Sequence, residues 1–220
     1  MFDLNINELM QGVAVGAIPI LLAITLHEAA HAWVASKCGD PTAKMLGRLS
    51  LNPIKHIDPV GTVVVPLLLW FTGGVLFGWA KPVPIGYRNL RKPKRDMVLV
   101  AIAGPGANFL MALAWGVVFK SVYLLGLSQG TLGEFLLSMA KIGLLINILL
   151  AAFNLLPIPP LDGGRVLRGL VSETFGKYLD RIEPFGLIII VLLLISGLLW
   201  TLVRPLFGLV ESLVTFLVGL

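Results

Sequence analysis

The sequence predicts an all-α, multi-pass membrane protein. Hydrophobic residues make up 57% of its 220 positions and charged residues only 13%, against about 25% charged in an ordinary soluble domain. Mean hydropathy is +0.91, and several apolar runs reach the roughly 20 residues that a helix needs to cross a bilayer. This composition excludes a fully water-exposed surface. The formal net charge of +5 would suggest nucleic acid in a soluble protein. Here it reads as basic loops against the cytoplasmic membrane face, with the lipid bilayer as partner and no nucleic acid. The single cysteine, Cys38, leaves no internal disulfide framework. The first basic residue is Lys37, behind the first apolar run, so no cleavable signal peptide is expected.

One domain over 1–220 accommodates six apolar segments, at about 8–36, 60–80, 97–127, 132–156, 183–203 and 205–220. Those at 8–36, 97–127 and 132–156 are expected to form a three-helix core, with 183–203 and 205–220 peripheral. Residues 41–96 are rich in Pro, Gly, Asn and basic side chains. Within them 47–51 (GRLSL) and 81–85 (KPVPI) read as edge strands, since proline cannot pair on both sides of a ladder. The stretch 162–181 places Val166, Leu167, Leu170 and Val171 at helical spacing, which predicts an interfacial amphipathic helix.

The chemistry is carried first by His27-Glu28-Ala29-Ala30-His31. Histidines at i and i+4 lie one turn apart on one face, so both imidazoles can reach one metal ion. Glu28 lies about 100° round the helix, placed to accept a proton from water rather than to bind the metal. The chain has three His in all, and two of them fall in this motif, inside a membrane segment. Charge there is costly and functional by default. Catalytic zinc needs a third protein ligand, and Asp162 is the best candidate. It follows NLLPIPPL and precedes Gly163-Gly164. The prolines end the preceding helix in extended backbone, and the glycines are expected to allow a sharp turn after the aspartate.

HExxH in one membrane helix, with NLLPIPPLDGG at the end of a later one, resembles the site-2 protease family of intramembrane zinc proteases. Ala103-Gly104-Pro105-Gly106-Ala107-Asn108 is similar to that family's second-helix pattern. LGRLSLNPIKHIDPVGT and FGWAKPVP resemble its compact bacterial and archaeal branch, which lacks PDZ or CBS domains. The resemblance covers roughly residues 10–170. It implies that His27, His31 and Asp162 bind Zn2+, that Glu28 activates water, and that Asn154 helps to bind substrate or stabilise the oxyanion. The substrate it implies is a transmembrane helix, cut within or near the membrane. Asn147 and Asn154, seven residues apart, share a helix face that is expected to line a water-containing cleft, where an amide can donate to an oxyanion. Asn108 is expected to satisfy backbone or water at the carbonyl of Ala101 freed by Pro105, or to act in the site. His56 reads as a solvated or capping loop residue, or else as an auxiliary group near the zinc.

Geometry adds a constraint on topology. The His pair lies toward the exit end of 8–36 and Asp162 just beyond the exit end of 132–156, so these helices must cross in the same direction. One of the two intervening segments therefore fails to span. The choice falls on 60–80, which holds Pro66 and Gly73-Gly74 and is expected to be re-entrant or to lie partly embedded. Fourteen of the 17 Lys and Arg then share one side, which the positive-inside rule makes cytoplasmic. The active site is expected toward the cytoplasmic half of a prokaryotic plasma membrane. The alternatives are a catalytically silent zinc-binding scaffold or transporter, or a protease that uses Glu134, Glu173, Glu183 or Glu211 as third ligand. The sequence leaves the substrate's identity and the oligomeric state open.

Overall fold

The computed structural model describes residues 6–65, 67–68 and 78–220. Its elements in order are α1 (Ile6–Lys37), α2 (Thr42–Met45), α3 (Pro93–Leu124), α4 (Thr131–Asn154), α5 (Asp162–Leu170), α6 (Glu173–Ile182), α7 (Gly186–Ile195) and α8 (Leu198–Val218), with short 3-10 and π turns between them. Four of these helices are long and apolar enough to cross a membrane: α1 from Gly12 onward, α3, α4 and α8. The chain is an integral membrane protein.

Packing follows membrane rather than aqueous physics. Between helices in lipid there is little hydrophobic driving force, so small residues that let backbones approach carry the contacts. Ala23, Ala32, Ala35, Ala112, Ala140 and Ala152 are wholly buried, while Ile18, Leu110, Val117 and Phe216 are exposed. At Gly143 a side chain would run into the Trp115 ring, so α3 and α4 meet there only because residue 143 is glycine.

Several boundaries differ from the sequence expectations for identifiable reasons. Helix α3 starts at Pro93, not 97, because proline suits the first helical position and the Asp96 carboxylate accepts the Lys92 N–H at 2.8 Å. The amphipathic stretch is two helices, since Ser172 caps α6 by accepting the Phe175 N–H. The expected span at 183–203 does not form. Helix α7 has ten residues, about 15 Å against a hydrocarbon core of about 30 Å. It ends at Ile195, two residues before Gly197, whose φ of 76° lies in the left-handed region that glycine tolerates. The last helix begins at Leu198 and continues through Pro205, rather than starting there. It lies antiparallel to α4. Leu199 and Val203 pack with Ala152 and Leu156, Val210 and Val214 with Ile148 and Ala151, and Lys120 Nζ donates to the terminal carbonyls of Val218 and Gly219 at 2.7 and 2.9 Å.

No strand forms among the described residues, which corrects the expectation at 47–51 and 81–85. Residues 78–86 form no regular element, and several of their donors are spent elsewhere. Lys81 N–H donates to the His56 carbonyl at 3.0 Å and Val83 N–H to Glu28 Oε2 at 2.8 Å. Pro82 and Pro84 have no N–H to give. Arg48 Nη2 donates to the Lys81 carbonyl at 2.7 Å, so a guanidinium takes the place of a neighbouring strand.

Of the segment expected at 60–80, residues 66 and 69–77 lie outside the described residues, but its two ends meet. Trp79 N–H donates to the Gly61 carbonyl at 3.1 Å and Thr62 Oγ1 donates to the Trp79 carbonyl at 2.9 Å.

Asp40 ties this region to the exit end of α1. Its Oδ1 accepts from Thr42 N–H, Thr42 Oγ1 and Asn89 Nδ2, and its Oδ2 from Gly86 N–H at 2.6 Å. Burial would raise the carboxyl's pKa, but these donors outweigh burial and hold it below its ordinary value. A depressed folded pKa stabilises the fold above the unfolded value, and that stability is lost as pH falls through the folded one. Thermal melts of the protein in detergent should therefore show an acid-side loss below about pH 4 that Asp40→Asn removes. At neutral pH the same change should cost about 1–3 kcal/mol, since its amide would face the Gly86 N–H donor to donor.

Candidate metal centre

The centre is assembled from two directions. α1 brings His27 and His31, and the arm 155–161 brings Asp162 as the first residue of α5. Glycines 163 and 164 serve close approach rather than the sharp turn expected from sequence. Both lie within α5, neither has positive φ, and a side chain on either would collide with the backbone of Leu155–Leu156 or Ile158–Pro159. The first turn of α5 therefore seats directly on the arm.

All three side chains are buried. His27 Nε2 and His31 Nε2 lie 3.0 Å apart, and each is 3.2 Å from Asp162 Oδ2. The protonation pattern is set from behind. His31 Nδ1 lies 2.7 Å from the Val100 carbonyl and His27 Nδ1 2.5 Å from Asn108 Oδ1. Both partners are acceptors, so both Nδ1 atoms carry the proton and both Nε2 atoms present lone pairs. Two lone pairs and a carboxylate oxygen then face one another, and Asp162 Oδ2 is buried without a hydrogen-bond donor. Three converging acceptors repel one another unless a cation lies between them. Tetrahedral zinc with bonds of about 2.0–2.1 Å would separate its ligands by about 3.3 Å, so the observed triangle fits that ion. These three residues form the metal-ligating group found among the described residues.

Helix α3 supplies the backing along one stripe at i, i+4 and i+8. Val100 gives its carbonyl to His31 and Asn108 its amide oxygen to His27. Between them, a side chain on Gly104 would overlap His31 Nε2 and the Cε1 atoms of both histidines. Asn108 does not reach back to Ala101 as expected. Its Nδ2 donates across to the Ala23 carbonyl of α1 at 3.2 Å and to Asn147 Oδ1 at 2.9 Å. Asn147 in turn donates to the Gly143 carbonyl at 2.8 Å. Both amides are wholly buried, so they sit behind His27 rather than on a cleft wall. Asn154, the last residue of α4, is half-buried and donates to the Leu150 carbonyl at 3.0 Å, outside this relay. Glu28 is half-buried and held by the Val83 N–H. His56 is buried, not solvated, and its Nε2 donates to the Ser50 carbonyl at 2.9 Å.

Sequence reasoning named Gly104 as part of the second-helix pattern and missed Val83 and Val100. Their backbone roles leave no side-chain signal. The spacing of Gly104 four residues before Asn108 was available. Replacing Asn108 by Leu frees the His27 tautomer and should weaken zinc binding about 10–100-fold, as read by competition with a chelator.

Comparison with known proteins agrees with this geometry. The profile of Peptidase family M50 matches residues 127–197, which include Asp162 and the arm before it. YwhC of Bacillus subtilis is 38% identical over 191 residues, covering 82% of this chain and 80% of YwhC. The chain belongs to peptidase family M50. Rip2 of Mycolicibacterium smegmatis is 32% identical over 181 residues, 80% of this chain and 64% of Rip2. Both relatives carry names that give them provisionally as zinc metalloproteases. MJ0392 of Methanocaldococcus jannaschii, named a zinc metalloprotease, is 26% identical over 190 residues, 84% of this chain and 43% of its own length. No solved structure matches significantly. Membership in the M50 family, the site-2 proteases, makes the chain a zinc metallopeptidase, and the His27, His31 and Asp162 group is its candidate zinc site.

Proposed function

We propose that this M50 peptidase hydrolyses peptide bonds within or near the transmembrane helices of other membrane proteins. The observation that carries this reading is the depth of the metal group. His27 lies ten residues before the end of α1 at Lys37, about 15 Å along the helix axis and inside its apolar stretch. A bond cut there lies at membrane depth. The basic residues cluster on the exit side of α1, and the positive-inside rule makes that side cytoplasmic. On this reading the site lies in the cytoplasmic half of a prokaryotic plasma membrane. Trp79 N–H meets the Gly61 carbonyl and Arg91 N–H meets the Cys38 carbonyl, which supports the chain leaving α1 and entering α3 on one side. Then α1 and α4 cross in one direction and α3 and α8 in the other, within a single domain whose core is α1, α3 and α4.

His27, His31 and Asp162 hold the ion, which supplies Lewis acidity and makes water acidic near neutral pH. Glu28 Oε2 is engaged by the Val83 N–H, so the other oxygen takes the proton from water and delivers it to the departing amine. Asn108, braced by Asn147, fixes the His27 ring. Asn154, at the mouth of the arm, is assigned to substrate or oxyanion contact. The substrate helix must unwind locally, because helical carbonyls are already hydrogen-bonded. The test is a panel of single-span substrates incubated with purified protein, zinc-stripped and zinc-restored, with products mapped by mass spectrometry. Cuts inside the apolar segment that return with zinc support the reading. Cuts confined to soluble loops would oppose it.

A further inference from the structure

A cleft of about 330 Å³ opens between the arm 78–86, α3, α5 and α6. That volume lies at the lower end for ligand pockets, about 300–1,000 Å³. Two of its lining residues connect it to the chemistry. Val83 gives its N–H to Glu28. Arg165, one turn beyond Asp162, places Nη1 3.9 Å from Asp162 Oδ1. The cleft is thus tied to the site through two neighbours, Val83 behind Glu28 and Arg165 beside Asp162.

Its walls mix apolar residues, Val83, Ile85 and Met97 among them, with charged ones, including two cations, Arg165 and Arg168. Arg168 is committed. Its Nε donates to Asp180 Oδ1 at 2.8 Å and its Nη2 to Glu173 Oε2 at 3.1 Å. Asp180, also on the wall, is thereby neutralised. The remaining lining carboxylate, Glu183, is exposed. Arg165 differs. Among the described residues its ion pair is with Asp162, beyond hydrogen-bond distance, and its side chain is 34% exposed. A guanidinium matches a carboxylate with two parallel hydrogen bonds.

The geometry points to a subsite for the newly formed C-terminal carboxylate of an apolar peptide, bound by Arg165 with its last side chains against Val83, Ile85 and Met97. This rests on the proteolytic reading. Hydrolysis adds water across the scissile bond. The carbonyl side becomes a carboxylate and the nitrogen side an amine. The carboxylate forms at the metal group, next to Arg165, and carries the apolar residues of a membrane segment. The same subsite would orient the substrate, with the N-terminal fragment lying in the cleft.

The test uses the full chain, zinc-loaded in detergent, and a short fluorescent apolar peptide as free acid and as C-terminal amide. Anisotropy titrations give the acid-to-amide affinity ratio for wild type, Arg165→Gln and Arg165→Lys, and zinc content is measured on each. The ratio should fall about tenfold or more in Arg165→Gln, the size of a lost charge-assisted hydrogen bond, and recover in part in Arg165→Lys, with zinc unchanged. An equal ratio in wild type and Arg165→Gln overturns the subsite. So does a parallel loss of zinc, which would make Arg165 a positioning residue for Asp162. Cleavage of a single-span substrate by the same wild-type preparation separates the two claims. Cleavage without an Arg165-dependent ratio removes the subsite alone. An Arg165-dependent ratio without cleavage keeps the anion site and removes the protease reading.

Discussion

Glu28→Gln should abolish proteolysis while leaving zinc in place. Glutamine keeps the shape of the side chain and an oxygen for the Val83 N–H, which now binds Glu28 Oε2 at 2.8 Å. It cannot accept a proton from water. General-base catalysis contributes about 10²–10⁴-fold, so the cleavage rate should fall by that factor. Zinc content should match wild type, because Glu28 is not among the three converging acceptors. Paired measurements of rate and zinc check both halves. Zinc loss in this variant would make Glu28 a ligand or a structural support, and undiminished cleavage would move the base elsewhere.

Gly104→Ala should be nearly as damaging by a different route. The added methyl would occupy space now held by His31 Nε2 and the Cε1 atoms of both histidines. Neither ring can simply rotate away, since each is pinned through Nδ1 to α3. Either the ligand triangle opens or α1 and α3 move apart. Zinc affinity should fall about 100-fold or more, at or beyond the upper end for outer-shell disruption, and activity should fall with it. Alanine is the better helix former, so helix content by circular dichroism should not decrease. Gly106→Ala, where the added carbon meets nothing within 4 Å, is the matched control and should leave zinc binding intact.

What could be read in advance divides along physical lines. Spans over α1, α3 and α4 are legible because apolar length is a property of the chain itself. The His27, Glu28 and His31 turn is legible because helical periodicity puts i and i+4 on one face. Asp162 is legible from its setting of prolines and glycines, although the reason for the glycines is close packing on Leu155–Pro159 and not a turn. The break at Gly197 is less visible, since 186–195 and 198–203 are both apolar and the break lies in a backbone angle. The failed strands at 47–51 and 81–85 show the same limit. Alternation and prolines indicate extended backbone, but pairing depends on where N–H groups go, and those of Lys81 and Val83 go to His56 and Glu28. The relay through Asn108 and Asn147 is tertiary, and no local pattern announces which helix an amide will reach.

The claim on which the rest depends is that one zinc ion is held by His27, His31 and Asp162. X-ray absorption at the zinc edge, on wild type beside Asp162→Ala, tests it most directly. Two imidazole nitrogens and light oxygen ligands at about 2.0–2.1 Å are expected in wild type, with one carboxylate oxygen lost and affinity sharply reduced in the variant. A wild-type zinc environment containing sulfur, or one that Asp162→Ala leaves unchanged, would contradict the account.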